Sequence, residues 1–146
     1  MPCLAGSFDP SIGPVFELGV GRPLVDVRRE GTTISQSFLQ IRALIDTGAA
    51  SSCVTEAAAR RIGVFAAGKA WMESTTGRRQ CNYYILDLQL PTVGHHGQPA
   101  PIPVRDVQVI EIVPMSPHFD ALLGRDVLDR GLFSLSGHDR RFVFCL

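Results

Sequence analysis

The chain has 146 residues, 45% of them hydrophobic, which is enough to bury the core of one domain. Its 14 basic residues balance 14 acidic ones, which argues against a nucleic-acid or anionic-membrane partner. The first residues lack the pattern of a signal peptide, and no apolar segment approaches membrane-spanning length, so we expect a cytoplasmic protein.

Short apolar runs separated by glycine and proline predict a β-rich domain over residues 14–146, preceded by an irregular N-terminal arm over residues 1–13. Alternating apolar residues then predict two strands, at residues 15–20 and 24–27. The turn-forming residues 21–23 separate these runs. We therefore expect a pair of strands joined by a tight turn.

A turn at residues 30–32 is followed by an apolar run from Ser37 to Ile45, which predicts a strand with an end buried on both faces. Asp46 directly follows the end of that strand. Downstream, Thr55 is a typical helix cap and Gly63 a typical stop, which predicts a short helix between them.

The second half of the chain continues the β pattern. Residues 71–90 predict a hairpin with its tip at residues 74–77, followed by a surface loop over residues 91–103. The remaining elements are predicted to be strands at residues 104–113, 119–123, 132–135 and 141–146, with a short helix near residues 125–130.

Four cysteines are far apart and lack the paired spacing of a zinc or redox centre, which favours free thiols. An alternative pairs Cys3 with Cys145 across a dimer interface. The adjacent His95 and His96 have no further ligand at suitable spacing, so a solvated loop is favoured over a metal site.

The segment Asp46-Thr47-Gly48 is the strongest candidate for chemistry. An apolar strand that ends in Asp-Thr-Gly places a carboxylate at the edge of the core, and the glycine lets other backbone approach closely. The alternative is an ordinary turn carboxylate at a strand end, because Asp and Gly both favour turns.

The context of this motif resembles the retropepsin-like aspartic proteases. Ala43-Leu44-Ile45-Asp46-Thr47-Gly48-Ala49 is similar to the active-site motif of that family, and Ala121-Leu122-Leu123-Gly124-Arg125-Asp126-Val127-Leu128 is similar to its second signature. The similarity spans roughly residues 15–146. It implies an all-β acid-protease half-barrel, with short helices after the active-site loop and near the C-terminus, that assembles as a homodimer.

The resemblance also implies the roles of residues. Asp46 of each protomer would supply one of two carboxylates that share a proton and activate one water against a peptide bond. No metal or organic cofactor is needed. The other residues implied are the active-site loop Thr47, Gly48 and Ala49, the substrate-binding flap Ser74, Thr75, Thr76 and Gly77, and the supporting segment Leu122, Leu123, Gly124 and Arg125.

One position departs from the family. Many retroviral members carry an acid that pairs with the arginine of the second signature, and this chain has Ala50 there. Arg125 would then need another partner, such as Asp9 or Asp26. We expect Arg78 and Arg79, beside the flap, to influence which charge is preferred in the substrate. The balanced overall charge of the chain favours activity at mildly acidic to near-neutral pH.

Two other functions fit the same sequence. One is a catalytically silent retropepsin-like dimer that binds peptides, although the intact Asp46, Thr47 and Gly48 argue against it. The other is a self-processing protease of mobile-element origin. The Met1 start and the finished C-terminal strand favour a stand-alone endopeptidase that acts on peptide or protein substrates.

Overall fold

The computed structural model describes residues 1–30 and 35–146. The predicted turn at residues 30–32 extends beyond the described residues. Within the described ranges the chain forms ten strands, β1 (Cys3–Ser7), β2 (Val15–Gly21), β3 (Leu39–Ile45), β4 (Cys53–Thr55), β5 (Gly68–Ser74), β6 (Gly77–Leu90), β7 (Ile102–Ile112), β8 (Ala121–Leu123), β9 (Leu132–Ser136) and β10 (Arg141–Cys145). Its helices are α1 (Leu24–Arg29), α2 (Glu56–Ile62) and α3 (Arg125–Leu128), with a 3₁₀ turn at His95–Gly97.

Most strands form one sheet in the order β2-β3-β8-β4-β7-β6-β5. An additional pairing of β2 with β6 closes six of these strands into a barrel, and β5 extends beyond it. The β3–β8 and β4–β7 pairs are parallel, which brings distant parts of the chain side by side. The prediction of an all-β half-barrel is confirmed.

The barrel interior holds the main core. Side chains alternate between the two faces of a strand, and many of the apolar residues of the barrel strands join one large buried cluster. Its fully buried members include Leu86, Leu88, Leu90, Leu123 and Val127.

A second, three-stranded sheet joins the two ends of the chain in the order β1-β10-β9. The prediction of an irregular arm is wrong for Cys3–Ser7, because this segment pairs antiparallel with β10. The register sets Cys3 opposite Cys145, and the two form a disulfide within the chain. The expectation of a free thiol is therefore wrong for this pair, and so is the alternative of a bond between protomers.

Helix α1 replaces the predicted strand at residues 24–27. Pro23 precedes the helix, and its fixed φ and missing N–H suit a helix start. The N–H of Leu24 donates to the buried carboxylate of Asp87 at 3.0 Å, so a residue far along the chain stabilises the first turn. The predicted pair of strands joined by a tight turn is wrong for this reason.

Helices α2 and α3 were both predicted. The Thr55 hydroxyl accepts from the N–H of Ala58, and Gly63 ends α2 with a φ of 82°. These are the cap and the stop that the sequence indicates. In the part of the chain that the structure covers, no helix has the length and apolar character needed to cross a membrane.

Candidate active site

Two parallel strands bring the two sequence motifs together. Ile45 of β3 pairs with Leu123 of β8, and the N–H of Asp46 donates to the carbonyl oxygen of Leu123 at 3.0 Å. Ile45 and Leu123 are buried, whereas Asp46 is partly exposed. The apolar strand ends therefore fix the backbone in the core and leave the Asp46 carboxylate accessible.

The loop after Asp46 turns tightly around its carboxylate. The N–H of Gly48 donates to Asp46 Oδ1 at 2.9 Å, and the N–H of Ala49 donates to the Asp46 carbonyl oxygen at 3.2 Å. A Cβ added at Gly48 would lie 3.1 Å from Asp46 Oδ1. Glycine thus lets a backbone donor orient the carboxylate without crowding it.

Thr47 takes no part in these contacts. It is exposed, and its hydroxyl has no hydrogen-bond partner among the described residues of the protomer. A polar side chain at the tip of the loop is therefore available to a second molecule.

The second signature supports this loop through a close backbone approach. A Cβ added at Gly124 would lie 2.6 Å from the carbonyl carbon of Ser51, a separation that real Cβ atoms do not show. The N–H of Arg125 donates to the Ala49 carbonyl oxygen at 2.9 Å. Only glycine at position 124 allows α3 to pack this closely on the active-site loop.

Ser52 and Asp126 complete this support. The Ser52 hydroxyl donates to Asp126 Oδ1 at 2.8 Å, and the Ser52 N–H donates to Asp126 Oδ2 at 3.0 Å. The same hydroxyl accepts from the N–H of Gly124 at 3.0 Å. Ser52 is buried, so each of these polar groups is satisfied inside the protein.

Arg125 does not take the partners that the sequence suggested. Its side chain is exposed and forms no ion pair with any residue that the structure describes. Asp9 instead accepts from the N–H and the hydroxyl of Ser11. The suggested pairing of Arg125 with Asp9 or Asp26 is therefore wrong.

Asp46 lies in a cleft of about 890 Å³. One side of the cleft is the loop from Asp46 to Ser51, and the other is the hairpin of β5 and β6. Its apolar lining comes from side chains of the hairpin, β7, β8 and the segment after β7: Trp71, Met72, Ile110, Ile112, Val113, Met115 and Leu122. The Asp46 carboxylate therefore lies in a cleft with a largely apolar lining.

The hairpin tip lies over this cleft. Ser74, Thr76 and Gly77 line it, whereas Thr75 does not. The Ser74 hydroxyl forms a hydrogen bond with the Thr76 hydroxyl at 2.9 Å and donates to the Gly77 carbonyl oxygen at 3.2 Å. Gly77 has a φ of 128°, which glycine adopts without strain. These bonds stabilise the turn locally.

Cys53 is the thiol nearest to this chemistry, since it also lines the cleft. Burial, together with the carboxylates of Asp126 and Asp46, raises the pKa of the Cys53 thiol to about 12. The side chain therefore stays a neutral thiol at physiological pH and cannot serve as a nucleophile. No three His, Cys, Asp or Glu residues of the described ranges are arranged to hold a metal ion.

Sequence reasoning missed Ser52 and Asp126. The available signals were a small polar residue just before the buried strand β4 and an acid directly after Gly124-Arg125. Both signals are common in loops and at helix starts. Only the hydrogen bonds between Ser52 and Asp126 in the structure distinguish these two residues from ordinary loop and helix-start residues.

Most of the chain matches a known protein family. The model of the retroviral aspartyl protease family matches residues 20–135. A crystal structure of a retropepsin-like aspartic protease from Rickettsia conorii matches with a TM-score of 0.58 and 13% identity, over 97% of this chain and 89% of that one. This likeness shows the fold alone.

Two further solved structures match with lower scores. EIAV protease in complex with the inhibitor HBY-793 has a TM-score of 0.49 and 16% identity, over 86% of this chain and 93% of that one. The simian foamy virus protease has a TM-score of 0.42 and 18% identity, over 80% of this chain and 92% of that one. No curated protein matches the sequence.

Proposed function

Because the chain belongs to the retroviral aspartyl protease family, we propose that it is an aspartic endopeptidase that works as a homodimer. Asp46 of each protomer supplies one of the two catalytic carboxylates. The observation that carries this proposal is the position of Asp46, directly after Ile45 at the buried end of β3 and in the cleft beneath the β5–β6 hairpin.

A second protomer is required because the sequence contains a single Asp-Thr-Gly motif. Hydrolysis of this kind needs two carboxylates around one water. The free hydroxyl of Thr47 supports such an assembly, since it is available to hydrogen-bond the matching loop of a partner. We expect the terminal strands to contribute to the interface as well.

The chemistry follows from two carboxylates about 3 Å apart, which cannot both stay ionised and therefore share one proton. The ionised member accepts a proton from the water between them, and this water attacks the carbon of the scissile carbonyl. The protonated member donates to the carbonyl oxygen. The carboxyl that took the proton from water then gives it to the peptide nitrogen as the C–N bond breaks, and the other carboxylate takes back a proton from the intermediate, so the pair again shares one proton. The Gly48 N–H, which holds Asp46 Oδ1, keeps each carboxylate in the orientation that this exchange needs.

The substrate is an extended peptide segment with apolar side chains next to the cleaved bond. The apolar lining of the cleft supports this preference. Closure of the hairpin tip at Ser74, Thr76 and Gly77 over the peptide would exclude water and order the chain. The roles of Thr47, Ala49 and the tip residues, the domain bounds 14–146 and the absence of a nucleic-acid partner stay predictions.

The location of the protein also stays a prediction. The sequence predicts a cytoplasmic protein, but the disulfide between Cys3 and Cys145 weighs against a reducing compartment.

A peptide library, digested across a range of pH and analysed by mass spectrometry, tests the proposed activity. The wild-type protein should cut at mildly acidic to near-neutral pH, and Asp46→Asn should not cut at any pH. Circular dichroism must show that both proteins are folded. If the folded wild type cuts nothing, while a pepstatin-like inhibitor or a peptide still binds, the protein is a peptide-binding dimer and the proposal fails.

A further inference from the structure

The two arginines of the hairpin differ in position and in charge pairing. In the antiparallel β5–β6 register, Arg79 lies opposite Met72 and Arg78 lies opposite Glu73. Neighbouring residues of a strand point to opposite faces of the sheet. Met72 packs against the apolar cluster that contains Ile112, and Arg79, on the same face as Met72, lines the cleft together with both residues.

The side chain of Arg78 already has partners within the hairpin. Its guanidinium lies over the ring of Trp71, 4.4 Å from the ring centroid, and its Nε is 4.0 Å from a carboxylate oxygen of Glu73. Arg79, in contrast, forms no ion pair or hydrogen bond with a described residue through its side chain. The cleft therefore has one arginine without a counter-ion.

A side cavity of about 310 Å³ also has Arg79 in its lining. The two spaces share Arg79, Ile112 and Val113, but the side cavity has no lining residue from the loop of residues 46–51. A side chain of a bound peptide that enters this cavity therefore belongs to a residue away from the scissile bond.

The acids of the side cavity already have partners. Glu56 pairs with Arg60 at 2.5 Å. Glu111 accepts from the Tyr84 hydroxyl and, at 3.0 Å, from Asn82 Nδ2. Burial raises the pKa of Glu111, but these two hydrogen bonds and the nearby cations outweigh burial and leave that pKa lowered, so Glu111 stays ionised and satisfied.

The remaining charged residue of the lining is Lys69, which is near enough to Glu111 to favour its ionised form. The guanidinium of Arg79 is thus available to pair with an acidic group of a ligand. A guanidinium beside the apolar walls of Ile112 and Val113 is well suited to a carboxylate, which it can bind through two parallel hydrogen bonds.

We infer that Arg79 makes the enzyme select peptides with an aspartate or glutamate side chain in the side cavity, at one position away from the cleaved bond. This inference rests on the proposed endopeptidase activity and adds a charged determinant to the apolar preference next to the scissile bond.

The test begins with the cut sites of a peptide library, which should show aspartate and glutamate enriched at one such position. Two peptides are then compared that differ only by Glu or Gln at this position. The ratio of their kcat/KM values should favour the Glu peptide by about tenfold in the wild type, as expected for one charge-assisted contact. The ratio is measured within each enzyme, so it does not depend on the fraction of folded protein.

Arg79→Gln should bring this ratio close to one, and Arg79→Glu should reverse the preference toward a lysine peptide. Arg42→Gln removes an exposed arginine that lines neither cavity, and it should keep the wild-type ratio. An equal ratio in the wild type and Arg79→Gln would overturn the inference while leaving the protease activity intact. A wild type that cuts no peptide at all would overturn both.

Discussion

The hydroxyl of Ser52 joins Asp126 to Gly124: it donates to the Asp126 carboxylate at 2.8 Å and accepts from the Gly124 N–H at 3.0 Å. Through this one side chain, the segment after the active-site loop is bonded to the start of α3. The two motifs of the sequence are thereby held as one unit, with Asp46 at its exposed end.

Ser52→Ala should lower both stability and activity. It leaves the buried N–H of Gly124 without its acceptor, which costs about 1–3 kcal/mol. It also removes one of the two hydrogen bonds that Asp126 Oδ1 accepts, while the N–H of Val127 still donates to that oxygen. We expect a lower midpoint in urea unfolding and a reduced kcat in the fraction that stays folded. Ser51→Ala is the matched control for the unfolding measurement, because the Ser51 hydroxyl has no hydrogen bond to the described residues. Equal behaviour of the two variants would contradict this role of Ser52.

Gly63 should resist substitution for a purely conformational reason. A Cβ at Gly63 or at Gly137 would meet nothing within 4 Å, but only Gly63 has a left-handed φ, of 82°. Gly63→Ala should therefore lower the free energy of unfolding by about 1 kcal/mol. Gly137→Ala should change it by only a few tenths. Thermal unfolding of the two variants, measured side by side, tests this prediction. Equal losses of unfolding free energy would rule out backbone strain at Gly63 as the cause.

Asp87 gives the fold an acid-sensitive element. Burial raises the pKa of its carboxyl, but hydrogen bonds from the Asp106 N–H, Gln36, Arg105 and the Leu24 N–H outweigh burial and leave the pKa lowered. A lowered pKa means that the folded state binds the proton less well than the unfolded chain. The stabilisation is therefore present above about pH 4 and is lost as the pH falls below it.

Asp87→Asn should cost about 3 kcal/mol at pH 7, since it leaves Arg105 and backbone donors of the buried cluster without their charged acceptor. The difference from the wild type should shrink as urea unfolding is repeated between pH 5 and pH 3. Glu17→Gln, at an exposed position, is the control and should change little at any pH. A difference for Asp87→Asn that does not depend on pH would show that the carboxylate charge is not the stabilising feature.

The disulfide between Cys3 and Cys145 should add stability by restricting the unfolded chain, because it links residues 142 positions apart. The double variant Cys3→Ser/Cys145→Ser should lose about 2–5 kcal/mol and become insensitive to reductant. Alkylation of the unfolded, unreduced wild type should modify two cysteines, Cys53 and Cys81. Modification of all four would show that the bond does not form.

How much the sequence could predict differs between elements. Helix α2 was predictable because its cap, Thr55, and its stop, Gly63, are local signals that the structure uses directly. The closeness of Asp46 and Gly124 followed from the resemblance of their two motifs to one family. In both cases the determining residues are adjacent in the sequence or belong to a familiar pattern.

Contacts between residues far apart in the sequence explain why some predictions are wrong. Four alternating residues at positions 24–27 suggested a strand, but Asp87, more than sixty positions away, accepts from the Leu24 N–H at a helix start. The Cys3–Cys145 bond depends on the register of β1 against β10, which no local pattern reveals. Arg125 likewise has no counter-ion among the described residues, although its place in the motif suggested one.

The sharing of one active site by two protomers is tested most directly by mixing. A fixed amount of wild-type protein is combined with increasing amounts of folded Asp46→Asn, after unfolding and refolding them together, and the initial rate of peptide cleavage is measured. Because a mixed dimer would hold only one Asp46, the rate per wild-type chain should fall steadily, to about half at equal amounts. A rate that stays constant at every ratio, while cross-linking shows that mixed dimers form, would contradict an active site built from one Asp46 of each protomer.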